Sequence, residues 1–340
     1  MSALFSPYLK KAVSGDPLTR AEMRAAITLL LEGAASPVET AGFLIALRAR
    51  GETVEEIAAA AEAMREKALK VDAPEDAVDT CGTGGDGAGT FNISTASALI
   101  AAGAGARVAK HGNKAATSKS GSSEVLAALG VKLDIPPAQI TACIREANVG
   151  FMFAALHHGA VANVAPVRRE LGVRTLFNLL GPLSNPAGAR RQVVGVFAED
   201  LAAPMAEALK RLGAESAWVV HGSDGLDELT TTGPSFVAKV WDGAVRTFSV
   251  TPEDAGLPRA QPEDLKGGGP EQNAAAIRRL LDGEAGPFRD IAVLNAAAAL
   301  IVAGKAADLK EGAALAAAAI DDGRAKAALD KLVERSNAGA

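Results

Sequence analysis

The spacing of apolar residues changes once along this chain of 340 residues, near residue 77. Before that point the apolar positions recur at helical intervals. After it, short apolar runs alternate with helical segments, which is typical of a largely parallel sheet with helices on its faces. The pattern predicts an α/β fold, with a small N-terminal helical domain and a larger α/β domain built on a mainly parallel central sheet. The predicted strands are 77–81, 107–109, 131–135, 150–153, 192–197, 217–220, 236–240 and 244–250, and the predicted helices include 94–102, 123–129, 137–147 and 203–212.

Three helices are predicted in the first 70 residues, because each predicted start carries a Ser or Thr followed three positions later by Glu. In such a capping box the two side chains satisfy backbone N–H groups that the first helical turn leaves free. The boxes are Thr19 with Glu22, Ser36 with Glu39, and Thr53 with Glu56. The apolar face of so small a helical unit needs a partner, so we expect it to pack on the larger domain or on a second subunit.

Composition excludes several classes of protein. The chain has 35 Lys and Arg against 40 Asp and Glu, a formal net charge of −5, so it lacks the basic surplus that nucleic-acid binding needs. No apolar stretch reaches the roughly 18 to 20 residues of a bilayer span, and the N-terminus lacks the apolar core of a signal peptide. Two cysteines cannot build a disulfide framework. We therefore expect a cytoplasmic protein with no nucleic-acid or membrane partner.

Five glycines occur within eight residues, between a predicted strand and a predicted helix, at positions 82, 84, 85, 87 and 89. Glycine lets backbone N–H groups approach a ligand closely, and a helix N-terminus favours negative charge. The segment therefore predicts a phosphate-binding loop.

The same segment contains a G-x-G-x-x-G motif, which occurs in dinucleotide-binding folds. Those folds place an acidic residue about 20 positions further on, at the end of the next strand, to hold ribose hydroxyls. Here that strand ends in Lys110, a cation that suits phosphate, and the chain has no G-x-x-x-x-G-K-[ST] motif. A nicotinamide cofactor and a P-loop are therefore disfavoured.

A second polar loop begins at Lys110. Residues 110–123 carry three lysines and a run of hydroxyl side chains directly before a predicted helix, and His111 and Asn113 add directional hydrogen-bonding groups. A loop of this kind is typical of anion binding. Two such loops after successive strands reinforce the prediction of a site for a phosphorylated ligand.

Longer motifs then follow one another in a fixed order. They are G-T-G-G-D with N-I-S-T (82–86 and 92–95), K-H-G-N (110–113), P-V-R-R-E-L-G (166–172), F-N-L-L-G-P-L-S-N-P (177–186) and D-G-L-D-E (224–228). This set resembles the anthranilate phosphoribosyltransferase family over nearly the whole chain. The resemblance implies a nucleoside phosphorylase/phosphoribosyltransferase-like fold and a homodimer. It implies a helical dimerisation domain at 1–72, with about 160–185 returning to it, and an α/β domain at 73–159 and 186–340.

The resemblance also implies an activity, namely transfer of the phosphoribosyl group of 5-phosphoribosyl 1-pyrophosphate to the amine of anthranilate in tryptophan biosynthesis. Mg²⁺ is the implied cofactor, with Ser94, Asp227 and Glu228 as ligands, which agrees with the preference of this ion for oxygen donors. The residues implied to bind phosphoribosyl pyrophosphate are Gly82, Gly85, Asp86, Thr90, Asn92, Ile93, Ser94, Thr95, Lys110, Ser118 and Ser122.

The aromatic acceptor is implied to contact Gly82, Asn113 and Arg168, whose guanidinium can pair with a carboxylate through two hydrogen bonds. The neighbouring His111 and Gly112 belong to the same predicted substrate site. His111 either orients the amine, or takes its proton, or has a purely structural role. No protein nucleophile is expected, because the amine itself would attack the ribose. No strong general base is assigned, because an aromatic amine is already uncharged at neutral pH.

Two alternatives stay open at this point. Val161 and Ala162 stand where the family has a Met and a basic residue, in a stretch expected to line the acceptor's access path, so a phosphoribosyltransferase with a modified aromatic acceptor is one alternative. The other is a pyrimidine nucleoside phosphorylase, which shares the fold but uses inorganic phosphate without magnesium. The adjacent acids Asp227 and Glu228 argue against the phosphorylase.

Overall fold

The N-terminal part of the protein is a bundle of four helices. A computed structural model describes residues 4–115 and 119–339, and the helices are α1 (Ser6–Val13), α2 (Arg20–Leu31), α3 (Pro37–Arg50) and α4 (Val54–Lys67). The three predicted capping boxes are confirmed at the starts of α2, α3 and α4. Helix α1 has no side-chain cap, so the sequence pattern does not signal it. Its position is fixed by packing, since the ring of Phe5 meets that of Phe43 at 5.3 Å.

The larger part is built on one seven-stranded sheet in the order β3-β2-β1-β4-β5-β6-β7. Strands β1 to β5 are parallel, and β6 and β7 form an antiparallel hairpin, so the predicted mainly parallel sheet is confirmed. Asp242 and Gly243 form the hairpin turn at φ of 50° and 68°. The strands are β1 (Val78–Gly82), β2 (Val108–Gly112), β3 (Val149–Phe153), β4 (Arg191–Gly195), β5 (Ser216–Gly222), β6 (Ser235–Trp241) and β7 (Ala244–Val250).

Helices cover both faces of the sheet, as parallel strands require. One face packs chiefly on α5 and α13, and the other on α11, which in turn contacts α4 of the bundle. These helices are α5 (Ile93–Gly103), α6 (Ser122–Ala128), α7 (Pro137–Ala147), α8 (Ala154–His157), α9 (Ala165–Leu171), α10 (Phe177–Leu183), α11 (Ala202–Arg211), α12 (Pro270–Leu281), α13 (Pro287–Val302), α14 (Leu309–Asp321) and α15 (Arg324–Asn337). In the described part of the chain, no helix combines the length and the apolar character needed to cross a membrane.

The segment after β3 leaves the sheet and packs on the helical bundle. A 3-10 turn at Gly159–Asn163 contacts α2, α9 contacts α3, and α10 contacts α4. Asn163 donates to the carbonyl oxygen of Leu31 at 2.7 Å, and Arg65 of α4 donates to that of Leu183 at 2.7 Å. The bundle and the sheet are therefore connected by hydrogen bonds as well as by apolar contacts.

The predicted strand at 131–135 is wrong. The N–H of Val131 closes the end of α6 on the carbonyl oxygen of Leu126 at 3.0 Å, and the N–H of Lys132 donates to Ser336 Oγ at 3.1 Å. Both donors are thus used outside any strand ladder. The apolar run reflects packing within the helical layer, where Val131 is buried.

Candidate active site

The candidate site lies where the strand order reverses, beside the carboxyl ends of β1 and β4. From β1 the chain proceeds to β2 and β3 on one side, whereas β4 and β5 lie on the other. In open α/β sheets the crevice at such a reversal is where ligands bind. Three loops meet there, namely the glycine-rich loop 83–92 after β1, the basic loop 113–121 after β2 and the acidic loop 223–234 after β5.

The acidic loop touches the strand ends so closely that only glycine fits beneath it. A Cβ at Gly195 would lie 1.5 Å from the carbonyl oxygen of Asp227, and a Cβ at Gly82 would lie 2.5 Å from its Oδ2. In the glycine-rich loop, Gly84 and Gly85 adopt φ of 66° and 78°, which is costly for residues with a Cβ. Glycine at these places therefore brings the acids onto the end of β1.

The two predicted metal-binding acids accept hydrogen bonds from the glycine-rich loop and from the start of α5. Asp227 Oδ2 accepts from the N–H of Gly84 at 2.7 Å, and Glu228 Oε1 accepts from the N–H of Ser94 at 3.1 Å. Burial, together with the charge of the nearby Asp86, raises the pKa of Asp227 to about 7. Burial and the charge of Asp227 also raise the pKa of Glu228 well above its usual range.

These acids fit a divalent cation that also binds a ligand. Two adjacent, partly buried carboxylates repel each other unless a cation compensates them. No group of three or more His, Cys, Asp or Glu able to hold a metal ion occurs within 4–115 and 119–339. The hydroxyl of Ser94 and the oxygens of a bound phosphate would therefore have to complete the coordination, as is usual for Mg²⁺.

Lys110 lies among these groups on the end of β2. Its side chain is buried, and its Nζ donates to Ser94 Oγ at 3.2 Å and to the carbonyl oxygen of Thr80. Burial lowers the pKa of Lys110, while the carboxylates of Asp79 and Glu228 oppose that shift. Gly82, Ser94, Lys110, Asp227 and Glu228 therefore form one contiguous group.

Asp79 underlies this group, and sequence reasoning missed it. It is fully buried on β1, where its Oδ1 accepts from the N–H of His111 at 2.9 Å and its Oδ2 from Asn185 Nδ2 at 2.7 Å. Asn185 also donates to the carbonyl oxygen of Ala109 at 2.9 Å. An acid inside an apolar strand was the available signal, since such a group needs partners when buried.

His111 presents one free ring nitrogen to its surroundings. Its Nδ1 lies 3.1 Å from the carbonyl oxygen of Gly181, which can only accept, so Nδ1 carries the proton. Its Nε2 is buried and has no hydrogen-bond partner among the described residues. Burial lowers the pKa of His111 to about 3. The ring is therefore neutral at physiological pH, with a lone pair on Nε2.

The basic loop is closed by local hydrogen bonds. Asn113 Oδ1 accepts from the N–H of Lys114 at 2.8 Å, and Ser122 Oγ donates to the carbonyl oxygen of Asn113 at 3.3 Å. Gly112 adjoins Ser122, since a Cβ at Gly112 would lie 2.3 Å from Ser122 Oγ. Ser118, a predicted phosphate ligand, lies outside the described residues.

The first turn of α5 offers fewer free donors than the sequence predicts. Ile93 donates its N–H to the carbonyl oxygen of Phe91, and Thr95 to that of Asn92. The side chains of Ile93 and Thr95 are both buried. The N–H of Ser94 is taken by Glu228, so the hydroxyl of Ser94 is the group that this turn presents to a ligand.

Three further predicted residues lie in or beside the glycine-rich loop. Asp86 Oδ1 accepts from the N–H of Ala88 at 3.0 Å, and Asn92 is the N-cap residue of α5. Thr90 pairs with Lys266 in an isolated bridge. The segment before α12 therefore contacts the glycine-rich loop, and Leu265 is buried beside this bridge.

Arg168 and Arg174 lie on the segment that returns to the bundle. The Cζ atom of Arg168, on α9, lies 5.4 Å from the ring centroid of Phe177. Arg168 has no carboxylate partner among the residues described. Burial lowers its pKa. Arg174, which sequence reasoning missed, stacks on Phe197 at 3.9 Å and donates to the carbonyl oxygen of Gly85. Arg168 is thus a partly buried cation available to an anion, whereas Arg174 is already engaged.

Both parts of the chain match known protein families. The helical bundle domain of the glycosyl transferase family matches residues 6–68, and the a/b domain of the same family matches 74–326. Anthranilate phosphoribosyltransferases from Parvibaculum lavamentivorans and Rhodopseudomonas palustris are 62% and 58% identical, each over 98% of both chains.

Solved structures agree with this result. The anthranilate phosphoribosyltransferase of Thermus thermophilus is 50% identical, with a TM-score of 0.93 over 97% of this chain and 99% of that one. The enzyme of Saccharomyces cerevisiae in complex with PRPP and Mg is 28% identical, with a TM-score of 0.91 over 99% of this chain and 98% of that one. The chain therefore belongs to the anthranilate phosphoribosyltransferase family.

Proposed function

We propose that this protein transfers the phosphoribosyl group of 5-phosphoribosyl 1-pyrophosphate to the amine of anthranilate, giving N-(5-phosphoribosyl)anthranilate and pyrophosphate. The observation that carries the proposal is the convergence of Lys110, Ser94 and the two acids at the reversal point of the sheet. With the family membership, this assigns the second step of tryptophan biosynthesis from chorismate. The family membership does not favour the nucleoside phosphorylase or a modified acceptor.

The donor is proposed to be held by the two loops that follow β1 and β2. In the proposed complex, Lys110 faces the pyrophosphate, and backbone and hydroxyl groups of the loops hold the remaining phosphate oxygens. Ile93 and Thr95 act by fixing Ser94, because their side chains are buried. The residues proposed to surround the donor are Gly82, Gly85, Asp86, Thr90, Asn92, Ser94, Lys110, Gly112, Ser118 and Ser122.

Ser94, Asp227 and Glu228 are proposed to hold Mg²⁺ together with the pyrophosphate. The contacts that support this are those from the N–H groups of Gly84 and Ser94, which hold Asp227 on the glycine-rich loop and Glu228 at the start of α5. When bound, the ion neutralises charge that develops on the leaving oxygens. Lys110 and the loop donors add to that stabilisation.

The acceptor is proposed to lie between Arg168 and the end of β2. Arg168 holds the carboxylate of anthranilate, and Gly82 and Asn113 face its ring. The amine attacks C1 of the ribose as pyrophosphate leaves, so no covalent enzyme intermediate forms. The free Nε2 of His111 accepts a hydrogen bond from the amine and orients its lone pair, while positioning supplies most of the acceleration.

The test follows anthranilate fluorescence on mixing the protein with phosphoribosyl pyrophosphate, Mg²⁺ and anthranilate. We expect a loss of fluorescence that depends on both Mg²⁺ and the donor. Release of pyrophosphate with a different amine, and no loss of anthranilate, would overturn the acceptor. Turnover with inorganic phosphate and a nucleoside in the absence of Mg²⁺ would overturn the reaction class.

Assembly and location complete the proposal. We propose a homodimer through the helical domain, which comprises residues 1–72 and the returning segment 160–185. Exposed apolar side chains support this, since Leu4 and Val38 are 69% and 82% exposed, which is a mark of interaction surfaces when such residues cluster. Two free, buried cysteines support a reducing, cytoplasmic location.

The buried histidines predict a dependence of stability on pH. Burial lowers the pKa of His111 to about 3 and that of His158 to about 4, both below the roughly 6.5 of an unfolded chain. Between these values the unfolded state binds more protons than the folded state. The free energy of unfolding should therefore fall as the pH drops from 6.5 towards 4, by up to about 1.4 kcal/mol per pH unit for each histidine.

Chemical denaturation between pH 7 and pH 4 checks this prediction. His111→Asn keeps a donor near the position of Nδ1 but does not titrate, so its stability should depend less steeply on pH than that of the wild type. Equal slopes for the two proteins would contradict the neutral, buried state of His111.

A further inference from the structure

Asn273 connects the two phosphate-binding loops from beneath. It lies in the first turn of α12 and is fully buried. Its Nδ2 donates to Asn92 Oδ1 at 2.8 Å and to Ser120 Oγ at 2.9 Å. Asn92 belongs to the glycine-rich loop and Ser120 to the basic loop, so one amide group contacts both.

The orientation of this amide is fixed from its other side. Asn273 Oδ1 accepts from the N–H of Gly268 at 2.7 Å. Because a backbone N–H can only donate, the oxygen must face Gly268 and the nitrogen must face the loops. Both amide hydrogens are then used, one by each loop. Replacing this nitrogen by an oxygen removes both of the hydrogen bonds that Asn273 donates, without changing the size of the side chain.

The two loops also bond to each other around Asn273. Asn92 Nδ2 donates to the carbonyl oxygen of Ser120 at 3.3 Å, and Ser120 Oγ lies 3.0 Å from Asn92 Oδ1. Asn92, Ser120 and Asn273 thus form a closed hydrogen-bonded cluster, which we call the loop junction. In the sequence, Ser120 and Asn92 precede Asn273 by 153 and 181 positions.

The segment that precedes α12 holds the junction against the glycine-rich loop. Gly267 donates to the carbonyl oxygen of Gly89 at 3.0 Å, and Lys266 Nζ donates to that of Ala88 at 2.6 Å. A Cβ at Gly267 would lie 2.6 Å from the carbonyl oxygen of Thr90. The backbones are therefore in direct contact, and a shift of α12 would move the phosphate loop.

We propose that Asn273 is a positioning residue that sets the spacing between the two phosphate-binding loops. It acts through Asn92 and Ser120 and does not contact substrate. The inference rests on the proposed function, in which both loops hold phosphoribosyl pyrophosphate. Fixed spacing lets both loops engage the donor without first being ordered, and a misplacement of about 1 Å can cost about a hundredfold in rate.

The test compares Asn273→Asp and Asn273→Ser with Ile277→Val. Asn273→Asp keeps the acceptor for Gly268 but places an oxygen that cannot donate against Asn92 Oδ1, an acceptor, and makes Ser120 Oγ the only possible donor at its contact. Asn273→Ser is too short to reach both loops. Ile277 is a fully buried residue of the same helix whose side chain faces the core. Its loss of one methyl group lowers stability and leaves the loop junction intact.

Two measurements separate positioning from general destabilisation. We expect both Asn273 variants to raise the KM for phosphoribosyl pyrophosphate about tenfold or more, with little change in the KM for anthranilate at saturating donor. Calorimetric titration with phosphoribosyl pyrophosphate and Mg²⁺ should show the same loss of affinity. Ile277→Val should leave both KM values unchanged.

A double-mutant cycle adds a further test. If Asn273 acts through the junction, Ser120→Ala and Asn273→Ser combined should raise the KM for the donor by less than the product of the two single effects.

Unchanged donor affinity in both Asn273 variants, or an equal rise in both KM values, would overturn this inference while leaving the proposed function intact. Absence of donor binding by the wild type would overturn the proposed function instead, and this inference with it.

Discussion

Replacing Glu228 with glutamine is expected to lower kcat/KM for phosphoribosyl pyrophosphate by about 10² to 10³-fold. The substitution keeps an acceptor for the N–H of Ser94, which Glu228 binds at 3.1 Å. It removes one of the two negative charges that attract the proposed Mg²⁺ and, through that ion, hold the pyrophosphate. Steady-state kinetics at varied Mg²⁺ should show that a higher concentration of the ion is needed, because the site has lost a charged ligand.

The same variant should not be destabilised. Glu228 and Asp227 are adjacent and partly buried, and removing one charge relieves their repulsion. We therefore expect the Tm of Glu228→Gln, measured without Mg²⁺ or donor, to equal or exceed that of the wild type. Glu75→Gln, at an exposed position outside the site, is the matched control and should change neither activity nor Tm. A large decrease in the Tm of Glu228→Gln would indicate that Glu228 stabilises the fold instead of contributing to donor binding.

Replacing Arg168 with lysine is expected to raise the KM for anthranilate about 10- to 100-fold and to leave the KM for phosphoribosyl pyrophosphate unchanged. Lysine keeps the charge but lacks the planar fork that pairs with a carboxylate through two hydrogen bonds. A loss of one charge-assisted hydrogen bond, worth about 1.5 to 3 kcal/mol, accounts for an effect of this size. The measurement is steady-state kinetics with each substrate varied at saturation of the other.

Arg169→Lys is the control for this experiment. Arg169 is the next residue on α9, but its side chain is exposed, so its replacement should leave both KM values unchanged. A rise in the KM for the donor in Arg168→Lys, or equal effects of the two substitutions, would contradict the assignment of Arg168 to the anthranilate carboxylate.

Features that depend on local sequence could be predicted. The capping boxes at Thr19, Ser36 and Thr53 act over three residues, so their side chains alone determine where α2, α3 and α4 begin. The glycine-rich loop could also be predicted, because positive φ angles and close backbone contacts both favour glycine and therefore enrich the segment in that residue. The same local reasoning failed at 131–135, where an apolar run packs on helices instead of pairing with a strand.

Contacts between distant parts of the chain could not be predicted in this way. Asn273 meets Asn92 across 181 positions, and Arg174 meets Gly85 across 89. An asparagine at the start of a helix is ordinary in sequence, and only the fold shows that its amide serves two loops. Asp227 and Glu228 are an intermediate case, because adjacent acids are usually solvated and the family resemblance alone singled them out.

The contact of Arg174 with the glycine-rich loop connects the segment that packs on the helical bundle to the loop that follows β1. Arg174 is held by Phe197 and by the carbonyl oxygen of Gly85, and it lies six positions after Arg168, on the segment that packs on the helical bundle. Any rotation of the bundle relative to the sheet must therefore either break this contact or pull on the glycine-rich loop. Movements of the returning segment and of the loop after β1 are thus coupled through a single arginine side chain.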